Sequence, residues 1–227
     1  MFFKQIPYIL KSKFSEQSIC FGIISQNAKL NGWYQPSWTE RMGITMIQAG
    51  YMYKKIVARP ESLACENVTK IYSVSHCTSE DFTNYIPYWK HNKYWFFNDP
   101  KDMDIIIDEQ KIKDEFELLF YELYEKEFDE EEQSWQEIIG EESFGYDVKS
   151  PLHKDLLGFD IVSYSIGTSH ECSPLSCNSL CTEVKVNENC LLDDLAYAIE
   201  VTESLNEKKA EPGPYRIIAV NRISKIS

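Results

Sequence analysis

The chain has 227 residues, 43% of them apolar and 14% aromatic, and a formal net charge of −13. This is enough apolar surface to exclude global disorder, and enough length for one large domain or two small ones. Between Asp108 and Glu142, 35 residues hold fifteen acids and three bases, so −12 of the −13 sits in one segment and the rest is nearly neutral. That balance argues against nucleic acid as the main ligand, because phosphate is repelled. No apolar run reaches the roughly 18 residues of a membrane-spanning helix. The start, Met1-Phe2-Phe3-Lys4-Gln5-Ile6-Pro7, lacks the form of a secretory signal, so a cytoplasmic location is expected.

In chain order, Ser18 to Ile24 reads as a short buried strand, and Asn31-Gly32 is a turn signal. From Thr39 to Ala58, Met42, Met46, Ile47 and Tyr51 fall near helical spacing, against which Gly43 and Gly50 count. Lys70 to Ser75 reads as a strand. Half of the sixteen positions from Phe82 to Phe97 are aromatic, which predicts a core contribution ending in a strand from Tyr94 to Phe97.

The acidic segment follows. Asp108 suits a helix cap, and Ile112, Phe116, Leu119, Phe120, Leu123 and Tyr124 recur at spacings of three and four. This predicts a long acidic amphipathic helix near 109–128, with Glu115, Glu117, Glu122 and Glu125 largely on the opposite face. Gly158 to Tyr164 reads as a strand. Ser173-Pro174 reads as a helix start, giving a short helix to about Glu183 with Cys177 and Cys181 on one face. Asp193 and Asp194 open a last helix, and Tyr215 to Ile223 is a closing strand. The expected fold is α+β: a mainly antiparallel mixed sheet with several helices. No Pro/Gly/Ser-rich linker interrupts 1–227, so one domain is expected. The alternative is two lobes, 1–107 and 143–227, joined by 108–142.

Chemistry concentrates in His170-Glu171-Cys172-Ser173-Pro174-Leu175-Ser176-Cys177, with Cys181 and Cys190 beyond. Three readings of it remain open. His170, Cys172, Cys177, Cys181 and Cys190 could supply the four Cys or His ligands that zinc takes in a tetrahedron, although the spacings match no paired C-x₂-C ribbon. Cys172 or Cys177, beside a helix N-terminus, could be a thiolate nucleophile with His170, His76, His91 or His153 as base. Or the thiols could pack as small buried hydrophobes.

There is no P-loop, no dinucleotide-binding glycine motif, no H-E-x-x-H and no G-x-S-x-G. The leading functional expectation is therefore a non-enzymatic, intracellular protein-binding protein of inhibitor or immunity type, needing no cofactor. It would present an acidic helix face to a basic partner, since opposite potentials steer encounter. Glu115, Glu122, Glu125, Asp129, Glu130, Glu131 and Glu132 would steer, and Tyr121, Tyr124 and Trp135 would anchor. The alternative is a cysteine-dependent enzyme or zinc protein centred on His170 to Cys190.

Overall fold

A computed structural model describes residues 45–81, 91–104, 115–138, 148–164, 172–205 and 210–223. The predicted strand at 18–24 and the aromatic positions 82–90 lie outside them. The chain divides into two compact units, Met1–Gln35 and Pro36–Ser227, and everything described belongs to the second.

Seven strands are described: β1 (Met46–Lys54), β2 (Val57–Ala58), β3 (Lys70–Ile71), β4 (Glu117–Asp129), β5 (Ser134–Glu137), β6 (Lys154–Ser163) and β7 (Tyr215–Ile223). The main sheet has the order β1-β4-β7-β6, with β5 pairing to β4, and every pairing in it is antiparallel. β2 and β3 form a separate two-stranded ladder.

Among the described residues the expected long acidic helix is absent: Glu117–Asp129 forms β4, a 13-residue strand between β1 and β7, and positions 109–114 lie outside them. The run from Phe116 to Phe128 fits two periods at once. Its apolar residues recur at three and four, but Leu119, Tyr121 and Leu123 also alternate, and these three are buried together with Phe120. Glutamate disfavours strands, so the choice depends on cations from elsewhere. Glu127 pairs across the ladder with Arg216 at 2.8 Å, Glu117 meets Arg222 at 2.6 Å, and Glu122 meets Lys154 at 2.5 Å. These partners, on β6 and β7, make the acidic strand tolerable.

The expectation of several helices is likewise corrected. Among the described residues the longest helix is α1 (Leu195–Glu203), of nine residues. The Asp194 carboxylate caps it by accepting the Tyr197 N–H at 2.8 Å. The helix expected from Pro174 to Glu183 is a turn followed by a three-residue 3₁₀ segment, Leu180–Thr182. The helical spacing seen in Thr39–Ala58 gives way to β1. There Gly50, at φ +132°, sits at a register shift. A Cβ on it would stand 2.6 Å from the Phe97 carbonyl oxygen, which packs against this strand.

Both faces of the sheet are covered. Ile218 and Val220 of β7 join one core cluster with Phe120, Tyr121, Phe96 and Tyr72. Ile217 and Ala219 join the other with Leu195, Ala198 and Val201 of α1. Strand alternation makes this division. It places Val162 of β6, and Tyr164 just after it, on the first face and Phe159 and Ile161 on the second. Asp160, two residues before Val162, shares the first face and is 0% exposed.

No helix among the described residues is long and apolar enough to cross a membrane.

Candidate metal centre

A carboxylate buried in a sheet needs donors, and two loops supply them to Asp160. One Asp160 oxygen accepts from the Val74 N–H at 2.7 Å and the Ser73 hydroxyl at 3.1 Å. The other accepts from the Ser173 hydroxyl at 2.5 Å and the Ile161 N–H at 2.9 Å. Burial raises the carboxyl to about 6, while these hydrogen bonds work in the opposite direction. Ser173 was expected to cap a helix. Its hydroxyl goes to Asp160 instead, and the segment after it turns rather than continuing as helix.

Lys54 makes a second buried anchor. Its ammonium donates to the Val74 and Ser75 carbonyls at 2.8 and 2.7 Å and meets Asp81 at 3.4 Å, with both side chains almost fully buried. Burial lowers the Lys54 pKa, and Asp81 opposes that fall. Lys54 and Asp160 thus fix the segment Ser73-Val74-Ser75 from two sides, and Asp160 also holds Ser173.

Each of these segments leads into cysteine. Cys77 follows Ser75, whose hydroxyl accepts the Cys77 N–H at 3.1 Å. Cys172 precedes Ser173, and its carbonyl accepts the Ser163 N–H at 2.9 Å, aligning it beside the end of β6. The Cys177 N–H closes the turn onto the Ser173 carbonyl at 2.8 Å. The three sulfurs of Cys77, Cys172 and Cys177 lie within 4.8 Å of one another, the first two 3.4 Å apart. The Ser75 hydroxyl stands 3.6 Å from the Cys177 sulfur. Cys77 is exposed, and the other two are half-buried.

The electrostatics disfavour bare thiolates. Burial raises the Cys172 thiol first, and the adjoining Cys77 and Cys177 sulfurs add to it. Burial also raises Cys177, against hydrogen bonds from Ser75 and the Ser173 backbone. The Cys172 and Cys177 sulfurs thus resist ionising, and a divalent cation removes that resistance. Thiolates around zinc at about 2.3 Å in a tetrahedron stand roughly 3.8 Å apart, a spacing inside the 4.8 Å that bounds this cluster.

No family model, curated protein or solved structure matches the chain.

The structure sorts the residues singled out by sequence. Cys172 and Cys177 come together. Cys181 and Cys190 do not join them; both are buried in the second core cluster with Cys65. His170 lies outside the described residues. His153 is exposed, and His91 packs its ring 4.5 Å from Phe97. Cys77, the third sulfur, went unremarked because 95 residues separate it from Cys172. The one available signal was Ser75-His76-Cys77, a polar turn straight after an apolar run.

The acidic residues are largely engaged within the chain. Besides the pairs on β4, Glu115 meets Lys55 at 3.0 Å. Glu130 accepts from the Gly213 N–H at 2.8 Å and the Tyr215 hydroxyl at 2.7 Å. Asp129 closes the β4–β5 turn by accepting from the Glu131 and Glu132 N–H groups at 2.9 and 3.0 Å. Glu125 is half-buried, and Glu131 and Glu132 are exposed. Tyr121 is fully buried, away from any surface. Tyr124 meets Trp135 edge-on at 5.3 Å, and the Trp135 indole donates to Glu203 at 2.8 Å.

Proposed function

We propose that this chain is a thiolate metal protein in which Cys77, Cys172 and Cys177 bind one zinc ion. The observation that carries the reading is the convergence of three sulfurs from two loops that buried charges hold in place. Soft thiolates favour zinc over magnesium or calcium, which prefer oxygen. Three protein ligands leave one position of the tetrahedron for water, substrate or a fourth side chain. The raised Cys172 and Cys177 thiols support a metal centre over a free nucleophile at either of these two positions, because nucleophilic cysteine depends on a lowered pKa. Thiols kept reduced for a metal accord with a cytoplasmic setting.

The test is native mass spectrometry with and without chelator, followed by zinc titration of the stripped protein. One zinc per chain is expected, lost in Cys77→Ser, Cys172→Ser and Cys177→Ser and kept in Cys190→Ala. No zinc uptake by folded, reduced protein sinks the reading.

A narrower second reading concerns the acidic turn. Glu131 and Glu132 stand exposed at the tip of the β4–β5 hairpin, where they could meet a basic protein partner. Pull-down at low and high salt, with Glu131→Lys and Glu132→Lys together, tests it: a partner unaffected by the reversal removes that role.

A further inference from the structure

One pair of sulfurs in the cluster is closer than zinc requires. Cys77 and Cys172 are 3.4 Å apart. A disulfide measures about 2.05 Å, so an approach of roughly 1.4 Å closes the bond. The two thiols differ in access, Cys77 being exposed and Cys172 half-buried. A small oxidant therefore meets Cys77 first.

We propose that Cys77 and Cys172 are a peroxide-oxidised thiol pair whose disulfide expels the metal. The Cys77 thiolate attacks one peroxide oxygen and the O–O bond breaks. The hydroxide released takes a proton and leaves as water, and Cys77 becomes a sulfenic acid. The Cys172 sulfur then attacks the Cys77 sulfur. Its proton passes to the sulfenic hydroxyl, which departs as a second water while the S–S bond forms. Two thiols are oxidised, and one peroxide is reduced to two waters. Two of the three metal sulfurs are thereby withdrawn. The disulfide stands on the Cys77–Cys172 geometry alone, whereas the expulsion of metal rests on the zinc reading above.

Stripped, reduced protein is treated with equimolar hydrogen peroxide, alkylated and mapped by peptide mass spectrometry. A Cys77–Cys172 link is expected, with loss of two hydrogens, reversal by dithiothreitol, and Cys65, Cys181 and Cys190 still reduced. Cys77→Ser and Cys172→Ser each lack the link, and circular dichroism checks that both are folded. In parallel, zinc-loaded protein is oxidised in the presence of a colorimetric chelator, and one zinc is released per disulfide. Zinc binding without a Cys77–Cys172 link overturns this inference and leaves the metal centre standing. A link in protein that takes up no zinc upholds the thiol pair and overturns the expulsion. A dominant link to any other cysteine overturns the pair.

Discussion

Among the described residues the cysteines form two groups of three, and their difference teaches what makes a thiol available for chemistry. Cys65, Cys181 and Cys190 are buried among Leu175, Leu180, Leu192 and Leu195. The Cys181 thiol is held down to about 7, chiefly by Cys190 beside it, while Cys190 and Cys65 are raised. The Cys65 thiol also lies 3.1 Å from the Cys181 carbonyl oxygen. Cys77, Cys172 and Cys177 sit on loops that side chains, rather than a continuous ladder, hold in place, and they reach solvent at Cys77. Among the described residues only the outer group brings three such ligand atoms within 4.8 Å of one another. Access and close approach separate the groups, not the count of cysteines.

The comparison breaks most decisively at Asp160. It supports the outer group through three hydrogen bonds to the two loops, while the inner group depends on apolar packing. Asp160→Ala leaves buried donors unsatisfied and should cost at least about 3 kcal/mol in urea unfolding of the stripped protein. Asp160→Asn restores only some of the acceptors, since an amide nitrogen faces donors. It should fold and yet bind zinc about 10- to 100-fold more weakly, as loss of an outer support does at metal sites. Unchanged zinc affinity in folded Asp160→Asn would show that the two loops hold their sulfurs without this carboxylate.

The same carboxyl gives a pH signature of comparable size. Its folded pKa, about 6, lies above the ordinary 3.8, so the folded state holds the proton more tightly. Its stabilising contribution is therefore full below pH 3.8 and is lost as pH rises through 6. The shift of roughly two units corresponds to about 3 kcal/mol. With chelator present, the stability of wild type relative to Asp160→Asn should grow by most of that amount, about 2 kcal/mol, from pH 7 to pH 4. A flat difference across the window contradicts the assigned environment. Other carboxylates act alike in both proteins and cancel in the comparison.

These two results mark the limit of what the sequence conveyed. β7 and the core of β6 were legible because short, continuous apolar runs bounded by turn residues read as buried strands. Asp194 was legible as a cap because capping is local. The acidic strand was not, since Arg216 and Arg222, which let Glu127 and Glu117 lie in a sheet, come some 90 and 105 residues later. The cysteine cluster was half legible. Cys172 and Cys177 share one local turn, whereas Cys77 is brought in by Asp160 and Lys54, both of which look like ordinary solvated charges in the sequence. A buried ion in the middle of a strand leaves no local pattern to read.

Single cysteine deletions sharpen the contrast at smaller energies. Cys190→Ala, with the sulfur fully enclosed, should destabilise by about 1–2 kcal/mol through loss of packing and leave zinc stoichiometry intact. Cys77→Ala, at an exposed site, should change stripped-protein stability by less than about 0.5 kcal/mol while abolishing zinc binding. Thermal unfolding with and without zinc measures both. If Cys190→Ala loses zinc, or Cys77→Ala retains it, the roles assigned to the two groups are reversed.

The smallest effect belongs to the hairpin tip. Glu131 and Glu132 are exposed, and the turn is closed by backbone bonds to Asp129 rather than by their own charges. Replacing both by Gln should therefore shift stability by no more than about 0.5 kcal/mol. Glu130→Gln, one residue earlier, should cost about 1–2 kcal/mol, because its carboxylate receives the Gly213 N–H and the Tyr215 hydroxyl. Equal effects at the two sites would mean that the acidic run behaves as a uniform charged surface. A clear difference would mean that Glu130 serves the fold, whereas the exposed Glu131, and Glu132 with its 3.0 Å bond from the Gln136 amide, face outward toward another molecule.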